Sequence, residues 1–149
     1  MAGALVKTFD LKRVALTVNG IPIRGFQDGD AIAVETDNDL WTKKVGVDGE
    51  VARAAVNDRT GKITINLLYS SSANATLNNL LEADKSDGTG IVDILVEDTS
   101  GGFKCFAAQA WVLKHPSVTL GSDVPVREWV MDCGQLEITH AGITPPNIG

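Results

Sequence analysis

The sequence predicts a mostly β domain, an antiparallel barrel or sandwich with one short flanking α-helix and a long β-hairpin arm. Three observations carry that expectation. Runs of alternating apolar and polar residues recur along the chain, divided by turn clusters of Gly, Asp, Asn and Ser. Only one segment, about 73–84, spaces its apolar residues as a helix does, and one short helix cannot cover both faces of a sheet. The 149 residues, 44% of them hydrophobic, make a single domain (1–149) with a core of its own.

The first element is a hairpin. Val14, Leu16 and Val18 alternate with polar or small neighbours, and Asn19 then Gly20 follow. Both turn positions tolerate positive φ, which makes this pair a strong hairpin signal. The return strand is expected over 21–26, with Pro22 at an edge because it has no N–H for a ladder. Asp28, Gly29 and Asp30 turn the chain again before a short strand over 31–34.

Residues 35–60 have a different character. Acidic and basic side chains alternate there, and apolar residues are sparse. Asp48 and Gly49 mark a second hairpin turn between Val45, Val47 and Val51. A two-stranded ribbon has no core of its own and needs another surface to lie against. It reads either as a mobile surface loop or as an inter-subunit arm. In the second reading the interface residues are Trp41, Lys43, Lys44, Asp48, Glu50 and Arg53. Trp41 is an aromatic stranded in polar text, as interface aromatics are. Lys43 and Lys44 either pair with a neighbour's carboxylates or stay solvated.

A turn over 57–61 leads into a strand with Ile63, Ile65, Leu67 and Tyr69 on one face. Three serines follow, of which Ser72 is the expected helix N-cap. Ala73, Leu77, Leu80 and Leu81 form the apolar stripe of the helix, and 85–88 end it. Val92, Ile94 and Val96 make the next strand. Residues 103–113 are nearly continuous apolar text, as in a central strand or strand pair. A short run at 118–120 precedes a strand with Val124, Val126, Glu128 and Val130 on one face and Arg127, Trp129 and Met131 on the other. Leu136, Ile138 and His140 form the last strand. Residues 141–149, with two prolines and no periodicity, read as an extended tail.

No nucleophile elbow, phosphate loop, dinucleotide fingerprint or HExxH pattern is present, so no catalytic residues, no metal and no cofactor are expected. His115 and His140 have no ligand partner two or four residues away. Glu35, Asp37 and Asp39 lack the apolar pocket that would raise a carboxyl pKa for acid catalysis. Cys105, beside Phe103 and Phe106, reads as a small buried hydrophobe rather than half of a disulfide, which fits maturation in a reducing cytoplasm. Thirteen basic against 19 acidic residues give a net charge of −6, which argues against a nucleic-acid-binding surface. No apolar run is long enough to span a membrane, and the first ten residues do not form a signal peptide.

Several runs resemble a family of tail tube proteins from contractile-tailed bacteriophages. They are Arg24-Gly25-Phe26-Gln27-Asp28-Gly29-Asp30, then Trp41-Thr42-Lys43-Lys44-Val45-Gly46-Val47-Asp48-Gly49-Glu50, the Asn57-Asp58-Arg59-Thr60-Gly61 strand entry and the cap and helix over 70–81. The resemblance covers roughly 10–140. It implies a virion structural protein, assembled in the host cytoplasm, whose hexameric rings stack into the hollow tube through which phage DNA is ejected. It implies that the arm and the chain termini contact the adjacent ring. The implied partners are further copies of the chain, a tail sheath protein, and tail terminator and baseplate proteins. DNA would pass the lumen without specific binding, and an acidic wall would repel it. The alternative is another β-rich ring-forming component: a tail terminator, a baseplate piece or a secretion-system tube subunit.

Overall fold

The computed structural model describes residues 6–142. A short 3-10 turn, Leu11–Arg13, leads into β1 (Val14–Val18) and β2 (Ile21–Pro22). Then come β3 (Ile32–Thr36), β4 (Trp41–Val45), β5 (Val51–Ala55) and β6 (Gly61–Leu68). The helix α1 (Ala73–Asp87) is followed by β7 (Val92–Asp98), β8 (Phe103–Val112), β9 (Val126–Cys133) and β10 (Leu136–His140). All pairings are antiparallel, and the main sheet runs β2-β1-β7-β8-β9-β6-β3, with β10 beside β8. β4 and β5 form a separate ribbon. The expected tail over 141–149 lies outside the described residues from 143 onward.

The sheet folds back over its own core. Leu16 and Val18 of β1 share one buried cluster with Ile63, Ile65 and Leu67 of β6, although three strands separate β1 from β6 in the sheet. β9 and β10 make the corner. Cys133 pairs with Ala110 and Leu136 with Ala107, so β10 continues the line of β9 along β8. Along its other edge the whole of β9, Val126–Cys133, pairs with β6, whereas β10 leaves β6 behind. One long strand thus passes from one half of the sheet to the other, as strands do at sandwich corners. The two ends, β2 and β3, do not pair with each other, so the architecture is an open, sandwich-like fold and not a closed barrel. Between β1 and β3 this leaves a cleft of about 550 Å³.

The first turn forms as its residues dictate: Asn19 and Gly20 both take positive φ, 54° and 75°. The return strand is shorter than expected and stops at Pro22. Gly25, at φ 86°, swings the chain away so that Phe26 bridges Leu67 of β6. A Cβ at Gly25 would overlap the Ser71 side chain, which also bonds there: Ser71 Oγ donates to the Arg24 carbonyl at 2.5 Å. Strand continuation along β1 is given up for this junction between the hairpin and the start of the helix.

Four further expectations change. Ser72 occupies the N-cap position but its side chain makes no capping bond; Ser71 Oγ instead accepts from the Ala73 N–H at 3.2 Å. The helix runs on through Lys85, Ser86 and Asp87 and ends at Gly88, whose N–H donates to the Asp84 carbonyl. Tyr69 does not continue the inner face of β6. It is exposed and lies under the Arg127 guanidinium, 4.4 Å from its ring centroid. No strand forms at 118–120, where Leu120 is exposed.

On β9 the burial falls on one side. Trp129, Met131 and Cys133 are buried, whereas Val124 and Val126 face outward. Volume and a polar anchor decide this. Trp129 is among the largest fully buried side chains, and its indole N–H donates to Asn74 Oδ1 of α1 at 2.9 Å. Asn74 Nδ2 in turn donates to the carbonyls of Leu68 (2.9 Å), Ser71 (3.0 Å) and Tyr69 (3.3 Å). This one buried amide ties helix, β6 exit and β9 together, and its burial is tolerated because its polar atoms are bonded.

Candidate assembly interface

The ribbon of β4 and β5 is exposed at every position of both strands. Its register pairs Trp41 with Ala55, Lys43 with Arg53 and Val45 with Val51. Directly opposed residues share a face. One face therefore carries Trp41, Lys43, Val45, Val51, Arg53 and Ala55. The other carries Thr42, Lys44, Ala52 and Ala54. The first face is apolar and basic at once. Trp41 is 49% exposed, and Val45 and Val51 are exposed too. The Arg53 guanidinium sits 3.8 Å from the Trp41 ring centroid, a cation–π contact that holds the indole against the ribbon.

The six sequence-derived residues divide by role. Trp41, Lys43 and Arg53 gather on the apolar-basic face, while Lys44 lies on the reverse face opposite Ala52. Asp48 and Glu50 sit in the turn. Asp48 Oδ1 accepts from the Glu50 N–H at 3.3 Å, and the Glu50 carbonyl accepts from the Gly46 N–H at 2.7 Å. These two acidic residues shape the tip. Lys43 opposite Arg53 is a like-charge pair, which is unfavourable in isolation and becomes favourable when an anion meets it.

The root of the ribbon is stapled by residues that the pattern reading passed over. Asn38 Nδ2 donates to Asp58 Oδ2. Asp58 Oδ1 accepts from the Thr60 N–H at 3.0 Å and the Thr60 hydroxyl at 2.7 Å. The Thr60 backbone bond, with the hydroxyl bond second, holds the Asp58 carboxyl below its ordinary value. Lys62 Nζ approaches Asp37 at 3.3 Å, and the Val56 N–H donates to the Leu40 carbonyl. Asp followed two residues later by Thr is the signal for the Asp58 turn, a side chain bonding its own backbone two residues on.

The remaining candidates have structural surroundings. Cys105 and Cys133 are buried free thiols, and burial pushes them up to about 11 and about 12. Both are therefore protonated and inert at neutral pH. His115 lies beside Lys85 and Glu82 on the surface, and the His140 ring is tilted against Phe103 with centroids 5.4 Å apart. Among the described residues no cluster of His, Cys, Asp and Glu is disposed to hold a metal ion. Among the same residues no helix is long and apolar enough to cross a membrane.

The solved anti-feeding prophage cap, which terminates the AFP tube, superposes with TM-score 0.66 at 14% identity, over 95% of this chain and 97% of that one. The sheath/tube terminator of the PVC extracellular contractile injection system, in its extended state, gives 0.66 at 12% identity, over 91% and 99%. A chain of the extended PVC sheath-tube complex gives 0.64 at 12% identity, over 90% and 93%. At such identities the likeness is one of fold. Structural protein ORF10 of Pseudomonas phage KPP10 is 26% identical over 150 residues, which cover 95% of this chain and 86% of that protein. Residues 16–141 match the family model described as Bacteriophage PhiTE tail tube protein. With nearly all of its sheet and helix inside that match, the chain belongs to this bacteriophage tail tube family.

Proposed function

We propose that this chain builds rings in a phage tail, in the class of components that includes tube terminators as well as repeating tube subunits. The observation that carries the reading is the β4–β5 ribbon. It is a fully exposed two-stranded element with Trp41, Val45 and Val51 on one face, and none of the described residues covers it. Such a ribbon is marginal alone and gains support from another copy. The unpaired outer edges of β2 and β3 support the same reading, because joining edges between copies around a ring removes them.

The comparisons favour this broad class over its narrowest member. Two of the three similar solved chains come from a tube cap and a tube terminator, and the third from a sheath-tube complex. The narrower reading is six copies per ring, rings stacked into a hollow tube, and DNA passing a lumen that holds it nowhere. The family match to a tail tube protein supports it, and so does the −6 charge, since an acidic wall gives phosphate no counterion-release gain. In that setting the partners are a sheath on the outside and terminator and baseplate proteins at the ends, within a virion tail assembled in the host cytoplasm. Electron microscopy of purified protein separates the readings. Long tubes support the stacked form, rings that stop at one or a few layers support the terminator form, and a monomer at every concentration contradicts both.

A further inference from the structure

The cleft between β1 and β3 has the converse chemistry of the arm. Its walls include Val14, Ile32, Val34 and Phe103, four side chains that pack on the core yet stay only half-covered because they face this opening. Asp28 and Asp30 stand on its rim, exposed on the turn that precedes β3. The volume of about 550 Å³ suits several side chains and not one, since occupied pockets run about 300–1,000 Å³.

The first face of the ribbon presents what such a cleft lacks. Trp41, Val45 and Val51 are apolar and exposed, and Lys43 and Arg53 sit among them as a like-charge pair with no carboxylate partner among the described residues. We propose that the cleft is the acceptor for the arm of a second copy of this chain. Trp41, Val45 and Val51 enter against Val14, Ile32, Val34 and Phe103, while Lys43 and Arg53 meet Asp28 and Asp30. The inference rests on the ring-forming reading and adds to it the surface on which the arm lands. Apolar burial supplies affinity, and the charge pairing at the rim fixes register and excludes wrong placements. It also relieves the strain of the opposed Lys43 and Arg53, which gives those residues a reason to share one face.

A charge-swap experiment tests it on the full chain. The Asp28→Lys/Asp30→Lys variant lowers the assembled fraction, read by sedimentation at fixed protein concentration, by about tenfold or more, the change expected when charge pairs across an interface become repulsive. The Lys43→Glu/Arg53→Glu variant does the same. The four substitutions together restore assembly, and that restoration also shows that neither pair acts by unfolding the domain. In parallel, a Val45→Cys chain mixed with a Val34→Cys chain yields a cross-linked dimer with a short bismaleimide, against the silent background of the buried Cys105 and Cys133. Loss of assembly without rescue overturns the proposal. So does a cleft variant that assembles normally while the arm variant does not, an outcome that leaves the ring-forming reading standing. Cross-linking within one chain carrying both cysteines, and none between chains, places the arm on its own cleft and also overturns it. Wild-type protein that never assembles removes the ring-forming reading and this inference together.

Discussion

Asn74 is the residue on which the junction of helix and sheet depends. Its side chain accepts from the Trp129 indole N–H and donates to three carbonyls around the exit of β6. Asn74→Ala leaves the buried Trp129 N–H without its acceptor and releases the carbonyls, a loss of about 1–3 kcal/mol. Urea unfolding of the single variants and of Asn74→Ala/Trp129→Phe reads the coupling. The double variant is less destabilised than the sum of the singles, and simple additivity contradicts the network. The carboxyls of Asp58 and Asp98 make a second prediction. Thr60 and Ser100 hydrogen bonds hold them below their ordinary values. A depressed folded value means that their stabilisation is present above the unfolded carboxyl pKa and is lost as pH falls through the folded one. The amide resonances of Thr60 and Ser100 therefore titrate with midpoints below the ordinary aspartate value of 3.8. Midpoints at or above that value contradict the bonded arrangement. The aspartate turns carry a local signal, Asp with Thr or Ser two residues on, but the role of Asn74 was not legible in the sequence. An asparagine after three serines looks like solvent-facing text, and only the fold brings Trp129, 55 residues away, against it.

At the scale of elements, the arm and the core are separable. The ribbon joins the sheet through β3 and the bonds around Asp58, and its strands pair only with each other. Replacing 41–55 by a short Gly/Ser loop keeps Asn38, Asp58 and Thr60 in place and closes the gap at small entropic cost. The melting temperature of that variant stays within a few degrees of wild type while assembly is lost; a collapse of the core shows that the ribbon is part of the fold. Trp41→Ala, in the intact chain, weakens assembly more than it weakens folding, because the indole is half-exposed in the single copy. Local chemistry made these elements readable. Asn19 with Gly20 specified a turn, alternation specified β6 and β7, and Leu77 and Leu81 specified the buried stripe of α1. Where two signals competed, the pattern misled. β9 has apolar residues on both faces, and side-chain volume together with the Asn74 bond, not alternation, chose Trp129 and Met131 for the interior. Ser71 and Ser72 are equivalent as letters, and only the nearby Arg24 carbonyl gives Ser71 its second partner.

Over the described residues the fold is an open sandwich with unpaired outer edges at β2 and β3, an exposed ribbon and an open cleft, in a chain of net charge −6. Each of the exposed features is a liability in a solitary domain and, in the proposed ring, a joint. The cleft was not legible in the sequence, because it lies between β1 and β3, strands at opposite ends of the sheet order, and exists only because the sheet folds over and fails to close. The family resemblance was legible and holds over 16–141. Position in the tail, as repeating tube or terminal ring, is a property of contacts between copies and not of one chain. Light scattering coupled to size-exclusion chromatography, followed by negative-stain microscopy of the same fractions, tests ring formation most directly. Assembly from copies of this chain gives a mass several times the 15.8 kDa of one chain and round, hollow particles, alone or stacked. A single 15.8 kDa species at every concentration and salt, with no rings on the grid, contradicts it.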